Sequence, residues 1–334
     1  MSSLLAMRRF ALLAAAALLV SPILAAASGD SDGDGIPDDL EASTARNVLV
    51  HESTTGFSIR SRSIGAVPED AFAIVFSEGK FTVEYFPVSS APATVSYRLE
   101  FRRILELYLD NGEWKEENRS DLSWDSSRVR ASEVRTTDGE NEVLYSVTSA
   151  SGIVTITVGS TSRFARVGGD RLLSPMEVTV DVQITGYNYS RADSRLALQV
   201  EVNSTGVPRV DDTSEDETAG WATNEASVKV SSGQDSLFFA WDRKATVDGA
   251  SSPIDVTPLE RSSGGLEMSF VYGRGNVIEH DPKIGAVSNA FWSIWSHPRT
   301  TTPAFDAPLY VLGIAVAAGL IGVTVFLRRR RRVE

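Results

Sequence analysis

One stretch of this chain sets oxygen-bearing residues at a spacing that suits a hard cation. It runs Asp30-Ser31-Asp32-Gly33-Asp34-Gly35-Ile36-Pro37-Asp38-Asp39-Leu40-Glu41. Calcium takes roughly 6–8 oxygen ligands, and a loop counted from Asp30 offers them at about positions 1, 3, 5, 7, 9 and 12. Asp30, Asp32 and Asp34 supply side-chain oxygens, Ile36 its carbonyl, Asp38 a direct or water-mediated contact, and Glu41 a bidentate carboxylate. Gly35 falls where the chain must turn sharply. The expected cofactor is therefore Ca2+, bound for structure.

Little else in the chain has the spacing of a reactive site. His51, His280 and His297 are scattered, which gives no metal-ligand pattern. The chain has no cysteine, so disulfides, thiolate nucleophiles and cysteine-ligated zinc are excluded. There is no Gly-x-Ser-x-Gly elbow, no phosphate loop and no carboxylate pair that spacing alone makes catalytic. No catalytic residue is assigned, and a non-enzymatic role is expected. His280 precedes Asp281-Pro282 in a Gly-rich connection and reads as a locally hydrogen-bonded turn residue. Arg103 breaks the apolar alternation of Tyr97, Leu99, Phe101, Leu105, Leu107 and Leu109. It either pairs with a buried carboxylate or marks where that strand leaves the core.

The Asp-rich loop matches the EF-hand loop count and resembles the Asp-rich units of thrombospondin type 3 repeats, common on surface proteins. Pro37 stands where a paired EF-hand carries a β-branched residue that bridges to a partner loop, and no second Asp-rich loop occurs. The resemblance therefore implies a lone calcium clip that fixes an extracellular N-terminus, and not a sensor that opens and closes. A short exiting helix is expected from 41 to about 50, with Leu40, Ala45, Val48 and Leu49 on its apolar side.

The two ends place this loop outside a membrane. Residues 1–27 combine Arg8-Arg9, an apolar run over 10–20 and Ala25-Ala26-Ala27 as a small-residue cleavage site, the pattern of a secretory signal peptide. Residues 309–327 carry no charge and lead directly into five arginines, Arg328 to Arg332. A transmembrane helix is assigned to 307–327 and a cytoplasmic tail to 328–334, because basic flanks stay inside. The C-terminus also resembles archaeal Pro-Gly-Phe sorting signals, through Pro303-Ala304-Phe305, the apolar run and the Arg cluster, with Ala304 in place of glycine. Between these ends stand 25 basic and 43 acidic residues. Such a surface repels nucleic-acid phosphates, so no nucleic-acid partner is expected.

The chain between the ends alternates with period two, as half-buried strands do. Met176, Val178, Val180, Val182 and Ile184 form one such set, and Leu196, Leu198, Val200 and Val202 form the next, joined by a polar connection over 186–195. Turn pairs at Glu78-Gly79, Asn111-Gly112 and Asp138-Gly139 predict hairpins, since such pairs reach positive φ cheaply. The fold class expected is mostly β: an antiparallel β-sandwich ectodomain, either one large sandwich or two small ones. It spans 51–210 and 221–295, divided by the acidic segment 211–220, with 28–50 holding the calcium loop and 296–306 a stalk. Sequons at Asn118, Asn188 and Asn203 allow N-glycosylation. Trp292 and Trp295, like Trp221 and Trp241, either close the β core or present rings to sugars or membrane.

The functional expectation is a membrane-anchored archaeal surface protein acting in binding, adhesion or envelope structure through a glycan or protein ligand. The alternative is a membrane-tethered extracellular hydrolase of glycans or peptides. Oligomeric state is not legible.

Overall fold

A computed structural model describes residues 38, 42, 44–53, 56–65, 69–88, 90–124, 130–135, 141–167, 171–204, 206–211, 225–260 and 265–287. These residues are mostly β, and their strands all fall in one compact unit. The first run is a meander of β1 (Arg46–Ser53), β2 (Gly56–Ser63), β3 (Ala71–Ser77), β4 (Lys80–Phe86), β5 (Val95–Asp110) and β6 (Glu113–Asp121). Next come β7 (Arg130–Arg135), β8 (Asn141–Thr148), β9 (Val154–Ser160), a small hairpin of β10 (Ala165–Val167) and β11 (Arg171–Leu173), and β12 (Glu177–Thr185). Then follow β13 (Arg195–Ser204), β14 (Arg209–Asp211), β15 (Glu225–Ser232), β16 (Asp235–Asp242), β17 (Lys244–Val247) and β18 (Ala250–Pro253). The last four are β19 (Asp255–Glu260), β20 (Leu266–Val271), β21 (Val277–His280) and β22 (Lys283–Val287).

The strands build two antiparallel sheets, an arrangement consistent with a β-sandwich. The first runs β1-β2-β3-β4-β5-β13-β20-β19, with β6 beside the second half of β5. The second runs β14-β15-β16-β22-β12-β21-β17-β18, with β9, β8 and β7 extending from the other side of β12. Strands from both sides of the acidic segment occur in both sheets. Period-two alternation turns one apolar face of each sheet inward, and those faces share one core. Phe57 of β2 stacks on Tyr145 of β8 with centroids 4.6 Å apart, and Phe270 of β20 meets Trp241 of β16 edge-on at 5.2 Å. Tyr97 of β5 crosses the core to donate its hydroxyl to the Phe238 carbonyl at 2.8 Å.

Turn chemistry places the hairpins where the residue pairs predict. Glu78-Gly79 and Asn111-Gly112 have φ of 52° and 79°, and of 52° and 85°, the two-residue turns whose twist matches the strands. Gly79 is doubly required, because a Cβ there would lie 1.9 Å from the Trp124 ring. Asp138-Gly139 lies outside the described residues.

Several expectations are corrected. Asp38, Ala42 and Thr44 are helical, but β1 begins at Arg46, so the helix does not reach Val50. Val48 and Val50 alternate with Asn47, Leu49 and His51, and β-branched residues at that period pair with β2. The polar connection expected over 186–195 joins strands of different sheets, since β12 lies in one sheet and β13 in the other. In β5, Arg102 is an extra residue in the pairing with β13, and this bulge reverses the alternation. Leu105 and Leu107 consequently pack with Ala197 and Val271 in a separate cluster, while Ile104 belongs to the shared core. Arg103 ends 3.4 Å from Asp121, an exposed carboxylate. His280 is buried in β21, not in a turn, with Nδ1 3.1 Å from the Tyr272 hydroxyl and Nε2 3.2 Å from the Asp242 carbonyl. Trp241 belongs to the core, whereas Trp221, Trp292 and Trp295 lie outside the described residues.

Two buried ion clusters complete the interior. Arg46 bonds Asp70 at 2.8 Å and Ser61 Oγ at 2.8 Å, and Tyr85 donates to the other Asp70 oxygen at 3.0 Å. Lys283 lies 2.8 Å from Glu225 and 3.6 Å from Glu177. Burial raises the Glu177 carboxyl above its ordinary range, and Lys283 offsets part of that rise.

Candidate functional site

The strongest assembly of polar and aromatic groups lies where the 186–194 connection crosses between sheets. It is organised by Glu106. The Arg102 bulge turns Glu106 to the inward side of β5, opposite Leu196 of β13, and leaves it without solvent exposure. A buried carboxylate is tolerated only when hydrogen bonds replace its water shell. Glu106 receives the backbone N–H of Ser190 at 2.8 Å, the N–H of Arg191 at 3.0 Å and the Ser194 hydroxyl at 2.5 Å. Tyr187 adds a long contact at 3.5 Å. Burial alone would raise this carboxyl, but the bonds from Ser194, Ser190 and Arg191 outweigh it and hold it below the ordinary glutamate value.

A second loop, 272–276, is locked to the first. The Tyr189 hydroxyl donates to the Gly275 carbonyl at 3.1 Å and accepts the Gly275 N–H at 3.3 Å. Asp248, in the β17–β18 turn, accepts the N–H groups of Asn276 and Val277, both at 2.9 Å. Arg274 lays its guanidinium 3.9 Å from the Tyr189 ring centroid and donates to the Arg191 carbonyl at 2.5 Å. Arg191 covers the Tyr108 ring at 4.1 Å while pairing with Asp193 and Glu117. On the neighbouring strands Arg195 approaches the Trp114 ring at 5.4 Å. Burial and the nearby Glu106 charge push the Tyr187 hydroxyl up to about 12, so it stays protonated at neutral pH.

The result is a surface of arginine-covered aromatics on two loops joined by hydrogen bonds. The sequon residue Asn188 is exposed between Tyr187 and Tyr189, and Asn118 of β6 pairs in register with Glu106.

Of the residues expected to bind calcium, Asp38 is described and is helical, whereas Asp30, Asp32, Asp34, Ile36 and Glu41 lie outside the described residues. Among the described residues no group of three or more His, Cys, Asp or Glu is placed to hold a metal. The apolar run 309–327 and residues 1–27, where a leader is expected, also lie outside them, and no described helix is long and apolar enough to cross a membrane. The loop surface was not anticipated from the sequence. Its one visible signal was Arg103, which marked the phase break that turns Glu106 inward.

Fold and site together define a two-sheet antiparallel β protein that carries a loop-borne tyrosine–arginine surface. No family model and no curated protein matches the chain.

Proposed function

We propose that the chain is a membrane-anchored cell-surface binding protein, with a calcium-stabilised β ectodomain that contacts its partner through the Tyr189–Arg274 surface. The observation that carries this reading is the Glu106 clamp. A fully buried carboxylate is spent on holding an exposed loop in one shape, which lowers the ordering cost that a binding loop otherwise incurs. Tyr, Trp and Arg are the residues that dominate protein interfaces.

A protein partner fits better than a glycan. Arg191, Arg274 and Arg195 already cover the faces of Tyr108, Tyr189 and Trp114, so those rings do not offer open faces to a sugar. Binding is also favoured over hydrolysis, since the buried carboxylates Glu106, Asp70 and Glu177 are each committed to holding other groups of the chain. The leader-like pattern of the 1–27 sequence, the uncharged 309–327 run ahead of five arginines and the Asp-rich 30–41 sequence support the surface location and the calcium dependence.

The test is saturable binding of the full chain in nanodiscs to envelope preparations from the producing cells. Protease treatment of the envelope should remove binding and periodate should spare it. Tyr189→Ala combined with Arg274→Ala should weaken it at least tenfold. Unchanged binding by this double variant overturns the assignment, and release of soluble glycan or peptide products would favour the hydrolase.

A further inference from the structure

We propose that the free edge of β1 is a self-association surface, at which two copies of the chain pair β1 against β1 antiparallel about a twofold axis through Leu49. Among the described strands β1 pairs only with β2. The Arg46 N–H donates to the Ser162 carbonyl at 2.8 Å, away from β2. Backbone groups alternate along a strand, so the N–H and C=O groups of Val48, Val50 and Glu52 face the same open side.

The side chains on this edge are those of an unfinished sheet. Leu49 is 49 % exposed on the outer face, and the inward Val48 and Val50 are only partly buried. Other described edges carry proline or charge, which oppose strand addition: Pro258 in β19, Pro253 at the end of β18, Lys115, Glu116, Glu117 and Arg119 on β6, and Arg130, Glu133 and Arg135 in the β7 sequence. β14 has only three residues. The central residues of β1, Asn47-Val48-Leu49-Val50, include no proline and no charge.

Register selects a second copy as the occupant. With the axis at Leu49, Val48 faces Val50 of the partner subunit and Val50 faces Val48 of the partner subunit, and each pair exchanges two backbone hydrogen bonds. Leu49 then faces its own counterpart, and Asn47 faces His51 of the partner subunit. Moving the axis to Val50 sets Leu49 against histidine and Val48 against glutamate. Moving it to Val48 sets Val50 against Arg46, whose N–H is already used by Ser162. Of these three axes, only the one at Leu49 sets Val48, Leu49 and Val50 each against an apolar residue and Asn47 against a polar one.

The absence of cysteine makes the test direct. Facing residues in a non-hydrogen-bonded antiparallel pair have Cα atoms about 4.5 Å apart, within disulfide range. Under mild oxidation of the full chain in detergent, Leu49→Cys should form a disulfide dimer as the main species. Val75→Cys, on the same outer face of β3 and 40 % exposed, should remain monomeric. Adding Val48→Pro to Leu49→Cys should suppress the dimer, because proline there removes an N–H that points away from β2 and leaves the β1–β2 ladder intact. The proposal is overturned if Leu49→Cys stays monomeric, if it cross-links no more than Val75→Cys, or if Val48→Pro leaves the dimer unchanged in a chain with wild-type circular dichroism.

Discussion

Ser194 donates its hydroxyl to the buried carboxylate of Glu106 at 2.5 Å, joining positions 88 residues apart in the chain. This contact ties the crossing between the two sheets to the middle of β5. A carboxylate serves here because both of its oxygens accept hydrogen bonds, whereas a glutamine of the same size offers one acceptor oxygen and a donor amide in place of the other.

Removing that acceptor should therefore cost more than one ordinary hydrogen bond. Glu106→Ala leaves the donors of Ser190, Arg191 and Ser194 without their partner. The expected loss is about 2–4 kcal/mol, since a buried group left unpaired costs on the order of 1–3 kcal/mol and the loop relaxes to hydrate some of them. Urea unfolding should show a lower midpoint with an unchanged slope. Glu106→Gln, which keeps one acceptor oxygen, should lose about half as much.

The same contact predicts an acid sensitivity. The folded Glu106 carboxyl lies below its ordinary value, so its contribution is fully present above the unfolded glutamate value of about 4.3 and disappears as pH falls through the lower folded value. Between pH 5 and strong acid the wild type should lose stability more steeply than Glu106→Gln, as read from thermal midpoints. Glu177 contributes with the opposite sign, because its carboxyl is raised by burial and the native state holds that proton more tightly. It is common to both chains and cancels in the comparison.

The buried lysine cluster separates the cost of breaking a charge pair from the worth of having one. Lys283→Met leaves Glu177 and Glu225 on the same buried patch without their cation and should cost about 3–5 kcal/mol. Adding Glu177→Gln and Glu225→Gln should restore most of that loss. Differential scanning calorimetry of the single and triple variants gives both values.

The calcium site proposed for the Asp-rich sequence at 30–41 makes its own prediction. The thermal midpoint of the full chain in detergent should rise when Ca2+ is added and fall with chelator, as binding to the native state alone requires. Asp34→Ala together with Glu41→Ala should remove the difference and leave the far-ultraviolet β signal intact. Equal midpoints with and without Ca2+ in the wild-type chain would dismiss the calcium assignment.

The strands and their hairpins were legible because period-two alternation and Asn-Gly or Glu-Gly turns act locally. The sets 176–184 and 196–202 became β12 and β13 almost residue for residue. Their partners were not legible, since alternation reports which face is buried but not which sheet a strand joins. Leu105 and Leu107 were placed on the wrong face because one extra residue, Arg102, reverses the phase of everything after it. His280 was hidden for a related reason: its two nitrogens are satisfied by Tyr272 and by the Asp242 carbonyl, neither adjacent in sequence. The Tyr189–Arg274 surface depends on loops 85 residues apart and on a carboxylate from a third segment, and no local spacing announces such a meeting.

The central claim is that Glu106 holds a loop surface in shape for a partner, and Glu106 itself is buried away from any partner. The most direct measurement is the affinity of Glu106→Ala, in nanodiscs, for the envelope preparation that binds the wild-type chain. At a temperature where both chains show the same β circular dichroism, the account predicts at least a tenfold weaker affinity. Wild-type affinity in Glu106→Ala would contradict it.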